Sequence, residues 1–183
     1  AAQGALGQRW AAWSTTEDEL TIVDARDGRT FAEGLVVSRL LPVIVVGRAP
    51  DEQVIFASST TLYRWSDSEL LLRKPCGEDN LQTLTAAEGV VAVACPNGEV
   101  VQLDGTFERV SATTCRSPEA ARISALAFDL PTGRLAVGDL DGRVTVHRIG
   151  EAGPPLLQFS EPASRIRELR FFQDAILSRG EHG

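Results

Sequence analysis

Four times in this chain an extended segment closes on a residue set at nearly the same interval: Val23, Trp65, Leu103 and His147, spaced 42, 38 and 44 residues apart. A recurrence of this length, filled each time with several short strands and turns, means a fold assembled from copies of one unit. Such a unit cannot bury its own faces and must stack on its neighbours. A sandwich also places a strand roughly every 8–12 residues, but three near-equal periods favour the stacked array.

The copy from Ile123 to Ile149 is the clearest. Ile123 to Asp129 is apolar at both parities, as a strand covered on both faces must be. Pro131 and Gly133 break it, the first by fixing φ and the second by accepting positive φ. A second strand follows from Arg134, Asp141-Gly142 supplies a strong hairpin turn, and Arg143 to Ile149 alternates again. The other copies repeat this plan. The first begins inside a hairpin, with a strand after Gly7 and another closing on Val23-Asp24, and it lacks its innermost strand. The second starts with a continuous apolar run from Leu41 to Ala49, and the third carries the Asn97-Gly98 turn. A fifth begins at Ile166, turns at Gln173-Asp174 and runs to the end.

The fourth copy resembles one blade of a WD-repeat β-propeller: strand, Pro-Gly turn, small-residue strand, Asp-Gly turn, closing strand. His147-Arg148 stands where that family has Trp-Asp, Glu161-Pro162 roughly where it has Gly-His, and Gly138 where a Ser or Thr joins a hydrogen-bonded tetrad from which Asp141 survives. The resemblance implies an all-β propeller of four-stranded antiparallel blades, in one partial domain over residues 1–183. The blades fall near 5–35, 41–75, 81–112, 122–160 and 165–183, about four and a quarter in all. Because the family usually closes rings of roughly six to eight blades, the expectation is an open arc, with about two to four further blades outside this stretch.

Charge narrows the partners. Eighteen Lys and Arg against 25 Asp and Glu give a net charge of −7, which argues against nucleic acid or an anionic membrane as the partner. Seventeen of the cations are Arg and Lys74 alone is Lys, a skew that reflects genome composition better than a phosphate site. Met is absent, and the two ends suggest an excerpt of a longer polypeptide. No apolar run reaches the ~18 residues of a membrane span, and the N-terminus lacks a signal-peptide layout; a cytoplasmic location is expected. Cys76, Cys95 and Cys115 make neither a C-x-x-C pair nor a zinc set. Cys95, inside an apolar run, reads as a small buried hydrophobe. Three free thiols and a reducing compartment are expected, with Cys76 and Cys115, in equivalent loops, as the alternative pair.

The search for chemistry returns little. His147 and His182 are the only histidines; the first occupies a packed closing position and the second the terminus. No G-x-S-x-G, nucleotide-binding glycine loop or H-E-x-x-H occurs. Asp139 and Asp141 flank a tight turn, where Asp bonds its own backbone rather than a cation. Trp13 and Trp65 hold repeated strand positions and are assigned to the core; Trp10 is left open. No metal or cofactor is expected, and the chain is not expected to be an enzyme.

Function then belongs to the surface. Blades hold loops that vary freely, and the turns between second and third strands place Glu17, Asp18, Thr60, Asn97 and Asp139 on one rim as candidate contacts for a protein or peptide partner. Asp141 and Gly142 are the structural turn. The resemblance implies a non-catalytic scaffold or sensor module of a larger regulatory protein. The alternatives are a lactonase-like propeller hydrolase with a metal in its channel and a structural adaptor subunit. Exposed terminal strands also invite self-association.

Overall fold

A computed structural model describes residues 4–14, 18–37, 41–48, 51–66, 69–114, 122–160 and 165–180. Its strands form five antiparallel sheets in chain order. The first contains β1 (Gly4–Leu6), β2 (Trp10–Ser14), β3 (Glu19–Asp24) and β4 (Thr30–Val36); the second β5 (Ile44–Val46), β6 (Gln53–Ala57), β7 (Leu62–Ser66) and β8 (Glu69–Arg73). The third contains β9 (Thr83–Ala87), β10 (Val90–Ala94), β11 (Glu99–Asp104) and β12 (Arg109–Thr114); the fourth β13 (Ile123–Asp129), β14 (Arg134–Asp139), β15 (Arg143–Arg148) and β16 (Leu157–Ser160). The fifth holds β17 (Ile166–Phe172) and β18 (Ala175–Gly180). Each sheet is a meander in which neighbours in sequence are neighbours in space. There is no α-helix among the described residues, only one 3-10 turn at Leu130–Thr132 closed by Gly133 at φ 66°.

Two strand expectations need correction. The first sheet does not lack its innermost strand: Gly4, Ala5 and Leu6 pair with Trp13, Ala12 and Ala11. Three residues are too few to carry a period, so the strand forms because the turn at Gly7, whose N–H donates to the Trp10 carbonyl at 2.8 Å, folds them back on β2. The run from Leu41 is also shorter than expected, with only Ile44–Val46 in a strand. Pro42 has no N–H to pair, and Gly47 leaves the strand at φ 89°.

Period-two alternation explains the stacking. Val54 and Phe56 on β6 share a core with Trp10, Ala12, Leu20 and Ile22 of the first sheet, while Ile55 and Ala57 of the same strand join Val91, Val93 and Leu103 of the third. On β10 the split recurs, Val91 and Val93 facing backward and Ala92 and Ala94 facing forward onto Ile123, Leu135 and Val137. On β14, Leu135 and Val137 face the third sheet, and Ala136 packs with Ile166 and Leu169 of the fifth. The second strands β6, β10 and β14 are thus each shared between two cores, which is why their sequences are apolar at both parities. Burial fades outward, and β8 and β16 are largely exposed.

The three-thiol expectation also fails. Cys76 and Cys95 form a disulfide with Cα atoms 5.5 Å apart, inside the range such a bond requires. The connection from β8 to β9 crosses the end of β10, where the Gln82 N–H donates to the Ala94 carbonyl at 2.9 Å, and this lays the Cys76 turn against Cys95. Sequence separation alone does not reveal that approach. With Cys76 bonded to Cys95, the alternative pair of Cys76 with Cys115 is also overturned; Cys115 itself lies outside the described residues.

Candidate interaction surface

The connections between second and third strands hold the proposed rim, and those of the second, third and fourth sheets are closed by their own hydrogen bonds. In the third sheet the Cys95 N–H donates to the Glu99 carbonyl at 2.8 Å, and Asn97 Oδ1 accepts from the Glu99 N–H at 3.0 Å. In the second, the Ser58 N–H reaches the Thr61 carbonyl at 2.9 Å, with Thr60 Oγ1 3.4 Å from Thr61 Oγ1. Asp18 has φ 62°, and its carbonyl accepts from the Val37 N–H. Asn97 is exposed and Thr60 half-buried at these turns. Glu17 lies outside the described residues, as do His182 and Glu161-Pro162.

Asp139 differs from the other rim candidates. It is only 8% exposed, and its Oδ1 accepts from the Asp141 and Arg143 N–H groups, both at 2.9 Å. It therefore builds the turn, while Asp141 exposes its side chain and contributes its backbone N–H; Gly142 supplies φ 82°. Two further acids act alike. Asp24 and Asp104, one residue past the closing positions Val23 and Leu103, accept from the Arg26 and Thr106 N–H groups at 2.9 and 2.8 Å. The Arg26 guanidinium holds the Asp24 carboxyl far below the usual range, and the Thr106 hydroxyl lowers that of Asp104. Asp129 is likewise lowered, by the Thr132 hydroxyl first and by Arg134 next.

The core assignment of Trp13 is overturned, and Trp10, left open by the sequence, is the buried one. Trp10 is fully buried, edge-on to Phe31 with ring centroids 4.8 Å apart, whereas Trp13, one parity away on β2, is 41% exposed. Ala12 and Trp10 face the second sheet, so Trp13 faces away from it. Trp65 is half-buried against that same core. His147 is buried, with Nε2 3.0 Å from Thr145 Oγ1, and burial pushes its pKa down against a hydrogen bond that the ring donates to the Gly153 backbone carbonyl.

The polar ties between sheets were not visible in the sequence. Buried Glu52 accepts from the Gln8, Arg9 and Trp10 N–H groups of the first sheet at 2.5, 2.8 and 3.0 Å. Its burial alone would raise its pKa, but the three donors outweigh that and hold it below the usual value. A Cβ on Gly7 would lie 2.5 Å from Glu52 Oε2, so glycine is required there by close approach. Gln82 Oε1 accepts from the Ile123 N–H and Gln102 Oε1 from the Gly150 N–H, both at 2.9 Å. A lone acid or amide beside an apolar run carries no signal of its reach into another sheet.

No group of three or more His, Cys, Asp or Glu among the described residues could hold a metal ion, and no helix among them is long and apolar enough to cross a membrane. The notable clefts sit elsewhere. One of about 350 Å³ lies between the outer strands of the fourth sheet and the fifth, lined by Val146, Leu157, Phe159 and Ile176 among others.

No family model and no curated protein matches the sequence. Among solved structures the chain superposes on the computationally designed Ika8 protein with a TM-score of 0.75 at 17% identity, over 98% of this chain and 55% of that one. It superposes equally, at 0.75 and 12% identity, on KlHsv2 with loop 6CD replaced by a Gly-Ser linker, over 97% of this chain and 62% of that one. At such identities the likeness is one of fold. The chain spans a little over half the length of each of these two structures.

Proposed function

We propose that the chain is a non-catalytic interaction module of the WD-repeat propeller type, an open arc of four complete blades and half of a fifth within a larger regulatory protein. What supports this reading is the sharing of β6, β10 and β14 each between two consecutive cores, which makes the stack a rigid support for its turns. The match to longer chains, of which it covers 55% and 62%, supports the arc. Thr60 and Asn97, on turns that satisfy their own backbone, are the favoured contacts for a protein or peptide partner; Asp139 is withdrawn because its carboxylate is committed. The Cys76–Cys95 disulfide favours an oxidising compartment over the cytoplasm.

The test is a Thr60→Arg/Asn97→Arg double variant, used as bait beside the parent in extracts of the source cells. The expected result is loss of a partner captured by the parent, with the fold retained and the melting temperature lowered by only a few degrees through the lost Asn97–Glu99 turn bond. Equal capture by both baits would remove the rim from consideration. Stoichiometric calcium with hydrolase activity would favour the propeller-enzyme alternative instead.

A further inference from the structure

We infer that the cleft between the second and third sheets, at the end of β8, binds a small organic acid: one carboxylate head on an aromatic or branched apolar body. The cleft has a volume of about 250 Å³. Its base is apolar, formed by the buried residues Val101, Leu103 and Phe107. Its mouth is cationic. Arg73 and Lys74 stand at the end of β8 and Arg109 on β12, and Glu108 is the acid among the described residues that line it. Both bounding sheets are complete, each with four paired strands. A longer chain would therefore add to the stack at its ends and leave this cleft as it stands.

Two features beside the cleft have no role in stacking the sheets. Phe107 has φ 65°, the left-handed region that a bulky side chain avoids. Asp104 holds it there: its carbonyl accepts from the Phe107 N–H at 3.0 Å, and its Oδ1 accepts from the Thr106 and Glu108 N–H groups at 2.8 and 3.1 Å. Strain maintained by surrounding bonds gathers at ligand sites, and here it sets a phenyl ring into the base of the cleft. The second feature is Arg64 of β7, a buried guanidinium whose carbon lies 5.4 Å from the centroid of that ring. Its Nε has no hydrogen-bond partner. Burial shields this charge from salt, so it holds a positive field beside the ring that the mouth cations, in water, cannot match.

The charges select the head group. Arg73 pairs with Glu108 at 3.0 Å, Lys74 with Glu78 at 2.9 Å and Arg109 with Glu99, and these cations are exposed. Exposed pairs contribute little, so a ligand carboxylate can take over one guanidinium, in the two-point geometry that arginine favours, with small loss. Because each mouth cation already has an acid beside it, the site suits a head with one negative charge better than a doubly charged phosphate. The apolar base calls for an apolar body, and a volume below the ~300–1,000 Å³ of drug-sized sites calls for a small one. Thr60 and Asn97 do not line the cleft, so this inference stands apart from the partner-binding reading above.

The test titrates the whole chain with naphthoate by calorimetry, with its uncharged amide and acetate as controls. Saturable one-to-one binding of naphthoate is expected, with the amide and acetate weaker by about tenfold or more. Hydrogen exchange should slow at the end of β8 and across Asp104 to Arg109. Arg73→Gln/Lys74→Gln should weaken naphthoate by about tenfold with the fold retained, since both side chains are exposed. Phe107→Leu, which keeps an apolar side chain but removes the ring, should weaken it too; Arg109→Gln replaces that variant should it unfold. Absence of saturable binding, equal affinity for the amide, unchanged affinity in Arg73→Gln/Lys74→Gln, or protection confined to another cleft would overturn the inference.

Discussion

The interface between the first and second sheets and that between the fourth and fifth do the same mechanical job with different physics. The first is tied by the Glu52 carboxylate, which reaches across to three backbone N–H groups beneath a glycine that leaves room for it. The second is tied by shape. A Cβ on Gly138 would lie 2.6 Å from Ile166 Cγ2 and 3.1 Å from Leu169 Cδ1, so the fifth sheet seats on a strand with no side chain at the point of contact. The Ser124 hydroxyl adds a polar tie from β13 to the Ile166 carbonyl of β17. Charged hydrogen bonds add specificity but titrate, while apolar packing is insensitive to pH and intolerant of added volume.

Breaking the apolar interface should have the largest effect. Gly138→Val is expected to destabilise by about 3 kcal/mol through overpacking against Ile166, measured by denaturant unfolding, and Ile166→Ala in the same chain should recover part of the loss. Absence of recovery would show that the contact is not the cause. A tie of a third kind gives a reference: Cys76→Ser/Cys95→Ser should cost about 2–3 kcal/mol, and a reductant should lower the melting temperature of the parent while leaving this variant unchanged.

The polar interface should yield less. Glu52→Ala is expected to lose about 2 kcal/mol, because water reaches the partly exposed Gln8 N–H and compensates in part. Acid separates the two interfaces further. Glu52 has a lowered folded pKa, so its contribution is full above the ordinary carboxylate range and is lost as pH falls through the folded value. Below about pH 4, the Glu52→Ala and parent stabilities should converge, whereas the Gly138→Val difference should persist. The smallest effect belongs to His147, whose pKa burial lowers. Its neutral form costs nothing above about pH 6.5, and stability declines as pH falls from there because the unfolded chain takes the proton first; His147→Gln should flatten that segment of the pH–stability curve.

Much of the fold was legible because turns and alternation are local. Asn97-Gly98, Asp141-Gly142 and the Pro131–Gly133 break mark hairpins that the structure contains. The short β1 was not legible, since it exists only as the partner of β2. The turns bearing Thr60, Asn97 and Asp139 were legible in position, because turns are local, but not in the role of each side chain: the Asp139 carboxylate, two residues from Asp141, is the one that closes the turn. Trp10 and Trp13 differ by one parity on one strand, and a strand of mixed apolar residues does not announce which parity meets a neighbour.

The amino-acid order by itself determined the strand succession, the hairpin turns and the interval of about 40 residues, because each depends on a few consecutive residues and their backbone preferences. The tertiary structure alone decided which face of each second strand belongs to which core, that Cys76 meets Cys95, that Glu52 serves the sheet before its own and that Gly138 lies under Ile166. Those pairings join residues far apart in sequence, and their energies arise only when the sheets stack, so no local pattern encodes them.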